Sequence, residues 1–205
     1  MTKDLFRRRS LLVGGAAAAL ASGLAAAPAA AATEQSGNVN CSAPQLSQPF
    51  LSAGDANWYT LAAGQTVDDF NASGWTLSGG AKLVTTRLAD GRTGRVLDLP
   101  SGAKAVSPTM CVNYGYQTAR TFVRDLAGVQ GVVVGVSYLG GGSSDTAQIS
   151  GQVNGSGANW TLSAPFNVLP ANRNGNQHVT FTFSAGGHGA EYQISNFWVD
   201  PRHMG

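Results

Sequence analysis

Charged residues are scarce in this chain of 205 residues, since Asp, Glu, Lys and Arg together make up 12% of it. Four of the 13 basic residues and one of the 11 acidic residues precede Thr33, which leaves nine basic and ten acidic residues. The remainder therefore has a net charge of −1, and no run of lysine or arginine follows Ala32. Recognition of nucleic acid requires clustered basic side chains to neutralise phosphates. The composition predicts no nucleic-acid partner.

Residues that commonly carry catalysis are also few, with three histidines and two cysteines in the whole chain. The sequence has no G-x-S-x-G turn, no H-E-x-x-H pair and no glycine-rich phosphate loop. No spacing among its acidic residues selects the pair of carboxylates that glycoside hydrolysis needs. We therefore predict a non-catalytic protein, and a glycan-active enzyme is the alternative that the motifs favour least.

The first 32 residues have the composition of a secretory signal. Three arginines at residues 7–9 precede a long uncharged stretch, and Ala30 and Ala32 supply the small residues that a signal peptidase requires. Residues 8–12, Arg-Arg-Ser-Leu-Leu, are similar to the twin-arginine export motif. We predict cleavage between Ala32 and Thr33 and secretion of the remaining chain.

The alternative for residues 11–32 is a membrane anchor, because the stretch is long enough to span a bilayer. Alanine and glycine make it only weakly hydrophobic, and Pro28 interrupts it. We therefore predict no stable membrane span after cleavage. The mature protein is predicted to begin with a flexible segment, residues 33–40, which precedes a single domain over residues 41–205.

Only two cysteines, Cys41 and Cys111, are present, and both follow the leader. In an exported chain such a pair predicts a disulfide. It would close a loop of about 70 residues and contribute roughly 4 kcal/mol through loop entropy. Two free thiols are the alternative, whereas two cysteines and three scattered histidines do not suggest a metal site.

Outside the leader, no stretch of more than ten residues without glycine or proline has apolar residues at the spacing of a helix. Short runs of β-branched and aromatic residues instead alternate with glycine-rich turns, a pattern typical of strands. In residues 178–184, Val179, Phe181 and Phe183 share one face. Residues 132–138 are apolar on both faces, which predicts a central strand. Ten to twelve such strands predict an all-β, two-sheet antiparallel sandwich of the jelly-roll type.

The final predicted strand, residues 191–200, changes its alternation part-way along its length. Its first two core candidates occupy even-numbered positions, and its last two occupy odd-numbered positions, so a regular strand would place the two pairs on opposite faces. A β-bulge at residues 195–196 would insert one residue and bring all four onto the core face, leaving Trp198 to point outward. The four residues are Tyr192, Ile194, Phe197 and Val199.

Two segments resemble the jelly rolls of galactose-binding-like domains and carbohydrate-binding modules. The first is residues 69–81, Asp-Phe-Asn-Ala-Ser-Gly-Trp-Thr-Leu-Ser-Gly-Gly-Ala, and the second is residues 192–201, Tyr-Gln-Ile-Ser-Asn-Phe-Trp-Val-Asp-Pro. Residues 195–196, Ser-Asn, stand where many such modules carry two aspartates. The mature chain as a whole also resembles a group of secreted bacterial β-sandwich proteins. The resemblance implies a β-sandwich that binds a polysaccharide or another surface glycan.

The same resemblance implies a structural Ca²⁺ that joins the first and last strands. Asp68 or Asp69 and Asp200 would supply its carboxylates, together with backbone carbonyls. The alternative is that these aspartates cap turns or face solvent. No other cofactor is predicted.

A sugar ring is commonly held on an exposed aromatic side chain with amides and hydroxyls nearby. Each aromatic candidate has core packing as its alternative, and Trp75 is predicted to lie in the core. The candidates for a ligand platform are Trp160, Tyr114, Tyr116 and Trp198, with residues 58–59 as a further possibility.

Together these observations predict a secreted, non-catalytic recognition module for a glycan or another cell-surface component. A structural or protein-interaction module of the cell envelope, without a small ligand, is the alternative. A solvent-exposed aromatic residue beside a concave polar patch would favour glycan recognition.

Overall fold

The structure, a computed structural model, describes residues 43–113, 115–139, 147–168 and 176–201. The chain divides into two units, residues 1–32 and 33–205, and all described residues belong to the second. In the described residues, no helix is long and apolar enough to cross a membrane.

The described residues contain thirteen strands and one turn of 3₁₀ helix, Leu51–Ala53. Every pairing between these strands is antiparallel. The prediction of ten to twelve strands omitted the shortest ones, because a two-residue strand has no alternation of its own. The strands are β1 (Thr60–Leu61), β2 (Thr76–Ser78), β3 (Lys82–Arg87), β4 (Thr93–Pro100), β5 (Lys104–Val106), β6 (Met110–Val112), β7 (Tyr116–Ala127), β8 (Val132–Leu139), β9 (Ala147–Val153), β10 (Thr161–Leu162), β11 (Phe166–Asn167), β12 (Gln177–Ala185) and β13 (Glu191–Pro201).

The strands form two sheets, which confirms the predicted antiparallel β-sandwich. The large sheet has the order β10-β7-β13-β4-β3, with β1 paired to β13 and β11 paired to β7. The small sheet has the order β2-β5-β12-β8-β9, with β6 paired to β12. Strand β8 has a neighbour on each side, as its two apolar faces predict.

The core lies between the two sheets and is rich in aromatic side chains. Phe197 of the large sheet meets Phe181 and Phe183 of the small sheet at ring-centroid distances of 4.7 and 5.1 Å. Both contacts are edge-to-face, the favourable geometry for aromatic pairs. Trp75 is buried as predicted, and its indole N–H donates to the carbonyl of Ala63 at 2.8 Å.

The predicted bulge in β13 is confirmed. The register between β13 and β7 shifts between Ser195 and Phe197, and Asn196 has a φ of 48°, a conformation that asparagine tolerates better than most residues. The buried hydroxyl of Thr121 lies 3.1 and 3.0 Å from the carbonyl oxygens of Ser195 and Asn196. Its single O–H can donate to either of these two carbonyls at the bulge. The inserted residue brings all four predicted side chains into the core, namely Tyr192, Ile194, Phe197 and Val199.

Candidate functional site

A cleft of about 480 Å³ lies on the outer face of the large sheet, and we call it the outer cleft. Its floor is formed by Phe122 of β7 and by Ser195, Asn196 and Trp198 of β13. Its walls come from the β3–β4 turn, the segment before β1 and the loop after β1. The wall residues are Leu88, Ala89, Asp90, Arg92, Pro49, Ser52, Ala53 and Val67. Pockets for small molecules occupy about 300–1,000 Å³, so the cleft has room for a short oligosaccharide.

The outer face is concave because the large sheet curls strongly. Arg124 of β7 donates an Nη2 hydrogen bond of 2.8 Å to Thr86 Oγ1 of β3, although β13 and β4 lie between these strands. In a flat sheet, three strand spacings amount to about 14 Å. This distance exceeds the reach of the two side chains, so the sheet must bring β3 and β7 together over its outer face.

A row of polar side chains crosses the large sheet beside the cleft. Lys82, Asp98, Gln193 and Arg124 are successive cross-strand partners, and we call them the polar row. Gln193 donates to Asp98 Oδ1 at 2.8 Å and accepts from Arg124 Nε at 2.9 Å. Lys82 Nζ lies 3.6 Å from Asp98 Oδ2. Burial lowers the pKa of Arg124, and the negative charge of Asp98 opposes that shift. The row thus gives Asp98 both a hydrogen-bond donor and nearby positive charge.

Trp160 covers the Arg124 end of the polar row. The guanidinium carbon of Arg124 lies 4.7 Å from the centroid of the Trp160 ring, within cation–π range. The indole N–H donates to the carbonyl of Arg87 at 2.7 Å. Trp160, which precedes β10, therefore connects one edge of the large sheet to β3 at the other edge. We call the contacts among Trp160, Arg124, Thr86 and Arg87 the Trp160 bridge. Trp160 is only half-buried, but Arg124 occupies one face of its ring.

The segment before β1 is held on the outer face by aromatic packing and an ion pair. Phe50 packs edge-on against Tyr59 at 4.9 Å and against Phe122 at 5.7 Å. Arg120 Nη1 lies 2.5 Å from Asp55 Oδ2. Burial raises the pKa of the Asp55 carboxyl, but hydrogen bonds, first from Tyr59, outweigh this and hold the pKa below its usual value. The carboxyl therefore stays ionised and paired at neutral pH.

Trp198 points away from the main core, as the bulge requires, but the structure corrects the expectation that it is exposed. Its exposed fraction is 5%, and it packs in a second hydrophobic cluster with Phe50 and Tyr59. The segment before β1 folds back over it, which the pattern of the final strand could not reveal. Trp198 contributes to the floor of the outer cleft as a largely covered ring.

Asp68, Asp69 and Asp200, the candidate calcium ligands, each have a partner within the protein. Asp69 accepts from Arg95 Nε at 2.8 Å, and Asp68 pairs with Arg92. Asp200 is buried and accepts from the Thr118 hydroxyl at 3.1 Å. In the part of the chain that the structure describes, no group of three His, Cys, Asp or Glu residues could hold a metal ion. The calcium site, which needs two of these carboxylates and backbone carbonyls, stays a prediction.

Several predicted residues fall partly or wholly outside the described residues. Tyr114 and Cys41 lie outside them, and Tyr116 begins β7. Cys111 is half-buried in β6, and no described cysteine carries a free thiol. The tyrosine platform and the Cys41–Cys111 pairing stay predictions. Trp58 is 53% exposed and is not among the residues that line the outer cleft.

The sequence reasoning did not single out Phe122 or Asn196 as site residues. A signal for Phe122 exists, since Arg120, Phe122 and Arg124 alternate along one strand with an aromatic ring between two cations. Such a stripe on an outward face is unusual for a solvated strand. Asn196 was identified through the bulge, but its place in a cleft depends on the curl of the sheet.

No family model and no curated protein matches the chain. Solved structures are similar to it in fold, at low sequence identity. One is TmCBM61 in complex with β-1,4-galactotriose, at 13% identity and a TM-score of 0.38, with 64% of this chain and 90% of that chain covered. Another is the CBM22-1 xylan-binding domain from Paenibacillus barcinonensis Xyn10C, at 14% identity and a TM-score of 0.42, with 70% and 93% covered. A third is the K2 cleaved adhesin domain of Lys-gingipain, at 16% identity and a TM-score of 0.43, with 70% and 99% covered.

The first two of these structures are carbohydrate-binding modules by their names. Similarity at this level concerns the β-sandwich fold alone. The functional argument therefore depends on the outer cleft.

Proposed function

We propose that this chain is a secreted, non-catalytic recognition module that binds a glycan in the outer cleft. The observation that carries the proposal is a concave site with an aromatic floor and a polar rim. Phe122, which is half-buried, supplies ring surface, and the largely covered ring of Trp198 lies beside it. The amide of Asn196 adds a polar group to the floor and is held by Ser195 and by the carbonyl of Thr66. Asp90 and Arg92 lie at the exposed rim. Sugar rings combine apolar C–H faces with hydroxyl groups, and both features find partners in this arrangement.

The lining of the cleft favours binding over hydrolysis. Asp90 is the one acidic residue among the described residues that line it, and it is paired with Arg92. Hydrolysis of a glycosidic bond ordinarily needs two carboxyl groups about 5–10 Å apart. A single carboxylate held by an arginine does not provide that pair. The cleft also favours glycan recognition over a structural module without a small ligand.

The cleft can be tested by filling it with a side chain that removes no existing contact. Ala89 is exposed and lines the cleft, so the indole of Ala89→Trp would occupy the ligand space. We expect Ala89→Trp to weaken retention on the preferred polymer at least tenfold while leaving the melting temperature unchanged. Retention would be measured by pull-down of the purified chain on insoluble xylan, β-1,4-galactan and peptidoglycan.

The matched control adds the same indole elsewhere. Val129 is 94% exposed and does not line the cleft, so Val129→Trp should bind as the unmodified chain does. Equal retention of all three proteins would exclude the cleft as the binding site. No retention of the unmodified chain on any of the three polymers would contradict glycan recognition itself.

The proposal includes export through residues 1–32, followed by residues 33–40 and by one domain over residues 41–205. The secreted protein is expected to begin at Thr33, which N-terminal sequencing would establish. Arg8→Lys combined with Arg9→Lys should retain the precursor in the cell if the twin-arginine route is used. Arg7→Lys lies outside the motif and is the control that should still be exported. Export of the double variant at the normal level would exclude this route.

A further inference from the structure

We propose that the outer cleft binds the end of a glycan chain and not an internal stretch of it. This inference rests on the proposed function and adds the class of ligand that the cleft accepts. It follows from the Trp160 bridge, which closes the concave face of the large sheet at one end of the cleft.

The floor of the cleft runs directly into the bridge. Phe122 and Ser195 are cross-strand partners on the floor, and Arg124 and Gln193 are the partners one step further along the same strands. One such step of two residues covers roughly 7 Å. A glycan lying along β13 would therefore reach Arg124 and the ring of Trp160 within about one sugar unit of the floor.

One wall of the cleft meets the bridge as well. Leu88 lines the cleft and directly follows Arg87, whose carbonyl accepts the indole N–H of Trp160. The bridge therefore joins the wall from the β3–β4 turn to the opposite edge of the sheet, above the strands that lie between. Trp160 and Arg124 do not line the cleft themselves, and they lie beyond Leu88 and Phe122 on this side of it.

Burial beneath the bridge shows that protein side chains cover the outer face of the large sheet beside the cleft. Asp98 and Gln193 alternate with the core residues Leu97 and Ile194, so they point to the outer face of the large sheet. On an open face they would be solvated, yet their exposed fractions are 1% and 5%. Lys82 contacts Asp98 and Arg124 contacts Gln193, so the outer face at this point is occupied by side chains of the protein.

The turn that carries Trp160 is fixed to β7 by short backbone contacts. Gly155 donates its N–H to Asp125 Oδ1 at 2.9 Å, and Asp125 donates its own N–H to the carbonyl of Gly157 at 2.9 Å. A Cβ atom on Gly155 would lie 2.8 Å from the Cα of Arg124, so the turn touches the strand directly. Such an anchored turn would hold the bridge in place when a ligand enters.

Titration calorimetry with the purified chain tests the inference. The probes are oligomers of β-1,4-galactan, of xylan and of peptidoglycan, each as a series from dimers to hexamers. Soluble preparations of β-1,4-galactan and xylan serve as the polymeric probes. Affinity is expected to rise with length and to reach a plateau by the tetramer. Limited cleavage of a polymer by an endo-acting hydrolase should raise the number of binding sites per gram in proportion to the chain ends released.

A variant that opens the bridge provides the second test. Trp160→Ala should extend the rise in affinity to longer oligomers, whereas Trp160→Phe keeps a ring over Arg124 and should retain the plateau. Trp58→Ala removes an exposed tryptophan outside the cleft and should change neither result. The titrations of the unmodified chain decide the question even if Trp160→Ala does not fold.

Two unfavourable results are distinguishable. If the number of sites follows polymer mass and not chain ends, or affinity rises steadily through the hexamer, the cleft binds internal segments and the inference is wrong. If no probe binds at any length, the proposed function fails and this inference fails with it.

Discussion

Replacing Cys111 with serine is expected to lower the free energy of unfolding by about 4 kcal/mol. The predicted bond to Cys41 closes a loop of about 70 residues, and opening it returns the entropy of that loop to the unfolded chain. For a chain of this length the loss corresponds to a melting temperature lower by roughly 10 °C. Thermal and urea unfolding of the oxidised protein and of Cys111→Ser would measure both quantities.

A reductant provides the matched comparison. Reduction of the unmodified chain should reproduce the loss, while the double variant Cys41→Ser, Cys111→Ser should unfold identically with and without reductant. If oxidised and reduced protein have equal stability, the two cysteines are not joined or the loop contributes nothing. The segment between them includes Pro49, Ser52 and Ala53 of the outer cleft, so loss of the bond should also weaken glycan retention.

Replacing Arg124 with methionine is expected to lower the free energy of unfolding by about 3 kcal/mol. Methionine keeps much of the length of the side chain but removes the donors to Gln193 and Thr86 and the cation facing Trp160. The buried Asp98 would then keep Lys82, which is largely exposed, as its nearby cation. Urea unfolding at neutral pH would measure the loss.

Arg95→Met is the appropriate control for this prediction. Arg95 also pairs with an aspartate, Asp69, but both side chains reach solvent. Exposed ion pairs contribute about 0–1 kcal/mol, so the control should change stability little. If Arg124→Met and Arg95→Met have equal effects, the polar row does not stabilise the large sheet. Arg124→Lys should fall between them, because lysine keeps the charge but cannot present a planar group to Trp160.

Much of the sandwich could be predicted because alternating apolar and polar residues show which face of each strand lies toward the core. Phe181 and Phe183 occupy alternate positions of one strand, so they lie on the same face, and the residue between them is polar. The structure buries both phenylalanines completely. The bulge at Asn196 was predictable for the same reason, since a break in alternation must be absorbed somewhere when both halves of a strand face one core.

The candidate site was less predictable, because its residues meet through contacts between distant segments. Trp160 is fixed by the carbonyl of Arg87, and nothing near either residue in the sequence indicates that partner. Asp69 accepts a hydrogen bond from Arg95 of the following hairpin, a partner that the sequence around Asp69 does not indicate. Trp198 was expected at the surface, and it is covered by Phe50 from the segment before β1. In each case the local pattern indicates on which face the side chain lies, but it does not identify the residue that the side chain contacts.

The sequence by itself determined the low charge and the antiparallel sandwich, since these follow from composition and from patterns within a few residues. It also predicts the export signal in residues 1–32. The tertiary structure decided that the outer face of the large sheet is concave, that the segment before β1 lies across it and that the Trp160 bridge spans it. These features arise from the twist and curl of a whole sheet and from side chains that meet across several strands. They therefore have no signature in any single segment of the chain.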